Sequence, residues 1–102
     1  MAKNFAIKSK KDAQHVVNNF INFTNDLYCE DDKVYDAICF KNSNISSPYY
    51  AGVTYLFNKN NKFYTFNEGQ NWRDKEPEEI ENIVDYIYKN RKGINNIINT
   101  IF

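Results

Sequence analysis

The sequence predicts an α+β domain in the order α-β-β-β-α-α, with a three-stranded antiparallel meander sheet and helices packed on one face. Two flanking segments repeat apolar residues at helical spacing, and the region between them is rich in aromatic and β-branched residues broken by Asn, Ser and Pro clusters. A chain of 102 residues, 42% hydrophobic and 17% aromatic, suffices for one core, so residues 1–102 are read as a single compact domain.

Ser9 is a candidate N-cap with Asp12 three positions on, a weaker form of the capping box. From there Ala13, Val16, Val17, Phe20, Thr24, Leu27 and Tyr28 recur every three or four residues, predicting an amphipathic helix over roughly 10–28. Glu30-Asp31-Asp32 then supplies a turn. Residues 33–40 form the first predicted strand and residues 41–48 a polar loop. Residues 49–57 form the central strand, and residues 62–66 return after the turn Asn58-Lys59-Asn60-Asn61.

Residues 67–73 read as a loop. Asp74 is placed to cap a helix over 75–90 with Pro77 in its first turn and an apolar stripe of Ile80, Ile83, Val84, Ile87 and Tyr88. Gly93 sits where a left-handed C-cap belongs. Ile94, Ile97, Ile98 and Ile101 continue into a short terminal helix, with a strand as the alternative for residues 94–102.

The α-β-β-β-α order over roughly 10–90 resembles the double-stranded-RNA-binding domain in topology alone. That family carries a lysine cluster at the start of its last helix. Glu76-Pro77-Glu78-Glu79 stands there in this chain and would repel RNA, so no family is assigned.

Thirteen Lys plus Arg balance thirteen Asp plus Glu, which excludes bulk electrostatic binding of polyanions. No apolar run reaches the ~18–20 residues of a membrane span, and the N-terminal segment lacks a signal-peptide pattern, so the expected location is cytoplasmic. Seventeen Asn, and eleven Ile against two Leu, indicate an A/T-rich gene such as occurs in low-GC bacteria, phages and other mobile elements.

No catalytic constellation emerges. His15 is the only histidine and reads as a helix-surface residue. There is no nucleophile elbow, P-loop, dinucleotide fingerprint or zinc spacing, so no enzyme activity, cofactor or metal is expected. With Cys29 ending the first helix and Cys39 late in a strand, the two would stand ~20 Å apart, too far for a disulfide.

Charge and aromatic content remain. Asp26, Glu30, Asp31, Asp32 and Asp36 form one acidic region, and Asp74, Glu76, Glu78, Glu79, Glu81 and Asp85 another. The element order places Lys89, Arg91 and Lys92 near the first and Lys8, Lys10 and Lys11 near the second. Strand alternation sets Tyr49, Tyr55 and Phe57 with Ala51 and Val53 on one face of the central strand, and Tyr50 with Leu56 on the other. One face is covered by helices. The other is covered by the terminal helix or serves as a binding surface.

The expected function is a small non-catalytic inhibitor, of the immunity or anti-defence type, that occludes a protein partner such as a cationic toxin or nuclease. Its candidate partner-binding residues are Trp72, Arg73, Tyr49 and Tyr50 at one end of the sheet, with Glu30, Asp31 and Asp32 as the alternative epitope. The alternatives are a nucleic-acid binder using strand aromatics with Lys41, Lys59, Lys62 and the N-terminal lysines, and a homo-oligomer that buries an open sheet face.

Overall fold

A computed structural model describes residues 5–41, 52–68 and 76–101. Among the described residues the fold is mixed α+β, with four helices and a sheet of five antiparallel strands where three were expected. In chain order the elements are α1 (Lys10–Asn18), α2 (Phe20–Phe23), β1 (Asp26–Glu30), β2 (Lys33–Lys41), β3 (Val53–Lys59), β4 (Lys62–Glu68), β5 (Glu78–Glu79), α3 (Ile83–Lys89) and α4 (Arg91–Ile101). Each strand pairs with its sequence neighbour, giving the order β1-β2-β3-β4-β5.

Ser9 caps α1 by accepting a hydrogen bond from the Asp12 amide, while the Asp12 carboxylate accepts from the Lys8 amide at 2.8 Å. The helix predicted over 10–28 stops early. At Asn19 the backbone leaves helical geometry, and its amide and side chain both donate to the His15 carbonyl. Val16, Val17 and Asn18 before that point are poor helix formers, so the break costs little. Thr24 closes the four-residue α2 by donating to the Ile21 carbonyl.

Leu27 and Tyr28 continue the helical spacing but belong to β1. A tight turn decides this. Asp31 and Asp32 have φ of 49° and 64°, the paired left-handed geometry of a two-residue hairpin, which sets Glu30 opposite Lys33. Asn60 and Asn61 repeat it at 54° and 66° between β3 and β4, the hairpin legible from sequence. The predicted start of the central strand at residues 49–51 lies outside the described residues.

The chain after Pro77 also departs from expectation. Glu78 and Glu79 pair with Thr65 and Tyr64 as β5, and the helix begins only at Ile83, capped by the Asn82 side chain. The terminal segment is helical. Gly93 lies within α4 rather than at a left-handed cap, and Asn90 ends α3 instead.

Ile38 and Phe40 of β2 and Leu56 of β3 meet Ile7, Ala13, Val16, Phe20, Phe23, Ile87, Ile94 and Ile98 in one buried cluster. α4 thus packs on the same side as α1 and does not cross the sheet. Each fully buried Ile, Leu or Phe contributes about 1.5–3 kcal/mol. The only buried polar side chains described are Thr54, whose hydroxyl bonds Asn67 at 2.7 Å, and Thr65. Cys29 lies in β1 opposite Val34, not at a helix end, and Cys39 lies opposite Tyr55 on the other face, and the two are not joined in a disulfide.

Candidate functional site

The helical layer leaves one part of the sheet unroofed. In β1 and the first half of β2, Leu27 is paired with Asp36 and Cys29 with Val34, on the side that carries Ile38 and Phe40. Ile38 and Phe40 are buried, whereas Leu27 is 55% exposed and Val34 60% exposed. Ile21 of α2 is 73% exposed. A groove of about 590 Å³ runs between α1–α2 and the sheet, with Val17, Phe20, Ile21, Val34, Tyr35 and Phe63 as its apolar lining. Its polar lining is Asn18, Asn19, Asn22, Asn58 and Asp36, so it offers amides and one carboxylate but no cation.

The hairpin at this groove carries the first acidic region. Asp31 and Asp32 are exposed at its tip, Asp36 is exposed at the groove, and the Asp26 carboxylate accepts from the Leu27 amide at 2.7 Å. Glu30 differs from its neighbours. It is half-buried and ion-paired with Lys59 at 2.5 Å, and this hydrogen bond raises the Lys59 pKa above its ordinary value. Of the expected acidic epitope, Asp31 and Asp32 are exposed with no ion pair among the described residues, whereas Glu30 is paired with Lys59. Trp72, Arg73, Tyr49 and Tyr50 lie outside the described residues.

One basic segment lies where the element order placed it and the other does not. Lys10 bonds Asp85 at 2.8 Å, which places the N-terminal lysines beside the second acidic region. Lys89, Arg91 and Lys92 do not approach the first. They gather with Lys41 around a cavity of about 210 Å³ at the far end of β2. Nine-residue β2 sets that cavity about 26 Å from the Lys33 end. The reversal follows from β5: one added strand makes the chain enter α3 from the opposite end of the sheet.

On the second face Tyr28 stacks on Phe57 with centroids 4.2 Å apart, and Tyr35 and Tyr64 flank Phe57 at 5.8 and 5.9 Å. Phe66 and Tyr55 join through Tyr28 at 5.6 and 5.8 Å. None of the described helices packs on this face. The rings instead cover one another, so that Phe57 is fully buried. Burial, followed by the Glu30 charge, raises the Tyr28 pKa above its ordinary value. Of the lysines bordering this layer, Lys59 is paired with Glu30 and Lys62 with Glu79 at 3.4 Å.

His15 is exposed on α1 with its ring 5.3 Å from that of Phe5. Among the described residues no three of His, Cys, Asp and Glu gather where a metal ion would sit, and no helix is long and apolar enough to cross a membrane. Sequence reasoning missed Ile21, Leu27 and Val34. Asp31-Asp32 signalled the hairpin, a turn flanked by two runs of strand length, but not the exposure of its apolar side chains. Comparison with protein-family models, curated proteins and solved structures found no match to this chain.

Proposed function

We propose that this chain is a non-catalytic protein-binding module of the inhibitor or immunity kind, which occludes a basic partner protein by docking it on the β1–β2 hairpin and the adjoining groove. The observation that carries this reading is the exposure of Ile21, Leu27 and Val34 beside Asp31, Asp32 and Asp36. Clustered exposed apolar side chains beside charged ones characterise interaction surfaces, and a single-signed rim speeds encounter with an oppositely charged partner. A toxin or nucleic-acid-acting enzyme is the partner class that fits a basic surface and an A/T-rich mobile gene.

Nucleic-acid binding by the strand aromatics is the weaker reading. The Tyr28, Phe57 and Tyr64 faces are engaged with one another, and Lys59 and Lys62 are engaged with carboxylates. Base stacking needs free ring faces, and phosphate binding needs free cations.

The test is co-purification with the products of neighbouring genes, comparing wild type with Leu27→Asp/Val34→Asp and Asp31→Asn/Asp32→Asn. Stoichiometric capture of a basic protein by the wild type, lost in the first variant and slowed in association by the second, is the expected result. Capture unaffected by either variant, or binding of a mixed oligonucleotide pool at low salt, contradicts the proposal.

A further inference from the structure

We infer that the partner docks a basic amphipathic helix over β1 and the Lys33 end of β2, alongside the groove that Ile21, Val34 and Asp36 line, with α2 as its neighbour; this rests on the protein-binding reading above. The floor has the right dimensions. Two adjacent strands offer about 10 Å of width, which is the packing distance of one helix, and five-residue β1 offers about 17 Å of length, or about eleven helical residues. Elsewhere this side of the sheet is covered by helices through Ile38, Phe40 and Leu56. Leu27 and Val34 continue that surface and Ile21 forms its wall, so an apolar stripe at helical spacing meets apolar side chains on two sides.

Charge complementarity sets the sign of the occupant. Asp36 lines the groove and pairs with Leu27, and Asp31 and Asp32 stand at the hairpin end of β1, with no lysine or arginine in the groove lining. Lys33 pairs in register with Glu30 on the opposite face. Lysines or arginines flanking the apolar stripe of an incoming helix therefore find carboxylates at both ends.

An extended strand added to the free edge of β1 is the competing mode, and the backbone disfavours it. The tight turn makes Glu30 and Lys33 a hydrogen-bonded pair, so the amides of Leu27 and Cys29 face away from β2. The Leu27 amide is already taken by the Asp26 carboxylate at 2.7 Å, which removes one of the two donors a new strand would use.

The probe is a synthetic Leu/Lys peptide of about 14 residues with helical spacing, about 21 Å long. It is titrated into the isotope-labelled full chain alongside a Leu/Glu counterpart and a Leu/Lys peptide of alternating pattern. The expected result is amide shift changes around Ile21, Leu27 and Val34 with the helical basic peptide alone, and about tenfold weaker binding to Val34→Glu. Asp36→Asn, which keeps size and strand geometry, weakens it by about threefold or more.

Equal or tighter binding of the alternating peptide, shifts confined to the aromatic face, or absence of binding overturns the inference. So does a dimer in sedimentation that Val34→Glu dissociates, since a second copy would then fill the groove. Partner capture that needs Leu27 and Val34 while the helical peptide fails overturns the helix and leaves the protein-binding reading standing; failure of both overturns both.

Discussion

Gly93 stands so close to β2 that a Cβ on it would lie 2.6 Å from the carbonyl oxygen of Lys41 and 3.0 Å from Cδ2 of Phe40. The carbonyl belongs to the sheet backbone and cannot swing aside. Ala is a better helix former than Gly by about 1 kcal/mol, but overpacking of this kind costs about 1–3 kcal/mol. Gly93→Ala should therefore lower stability, measured by urea unfolding, despite its favourable propensity. An unchanged or raised midpoint would show that α4 does not press on β2 at this point.

The side chain of Asn25 acts as an extra rung of the sheet. Its carbonyl accepts from the Cys39 amide at 2.7 Å and its amide donates to the Cys39 carbonyl at 3.1 Å. Asn25→Ala should cost about 1–2 kcal/mol and accelerate hydrogen exchange at the Cys39 amide before any global loss of structure. Exchange at Cys39 that stays as slow as in the wild type would contradict this.

Much of the fold was legible. The Asn60-Asn61 turn, the strand at 33–40 and the Ile94 and Ile98 stripe are decided by local chemistry, and the structure places each as expected. β1 was hidden because Leu27 and Tyr28 fall on a helical stripe by coincidence, and only pairing with β2 distinguishes the two periods. The unanticipated β5 reversed the expected direction of α3 and so misplaced Lys89, Arg91 and Lys92. The exposed rim of Ile21, Leu27 and Val34 was not legible. Exposure there depends on which strand each helix covers, which no local pattern encodes.

Asp31 and Asp32 occupy left-handed geometry that Asn60 and Asn61 also adopt. Asp31→Asn/Asp32→Asn should therefore preserve the hairpin, with thermal stability within about 0.5 kcal/mol of wild type, while Asp32→Val should cost about 1–2 kcal/mol in strain. Thermal melts of the two variants separate the effect of charge from that of shape. An unfolded Asn variant would contradict the turn geometry.

Burial, with the Glu78 charge second, pushes the Tyr86 phenol up to about 12 from its ordinary 10.0. The raised folded value means that stability from keeping Tyr86 neutral is complete below pH 10.0 and is lost as pH rises towards 12. The loss amounts to about 2–3 kcal/mol. Tyr86→Phe should flatten the fall of the denaturation midpoint between pH 10.0 and 12. An equally steep fall in the variant would assign the alkaline instability to other groups.

The central claim is that the partner docks at the β1–β2 groove rather than on the aromatic face. It is tested most directly by site-specific photo-crosslinking in the native host, with the reactive group placed in turn at Val34 and at Tyr64. The account predicts a single stoichiometric adduct with a basic protein from position 34 and none from position 64. An adduct from position 64 alone, or crosslinks to nucleic acid, would contradict it.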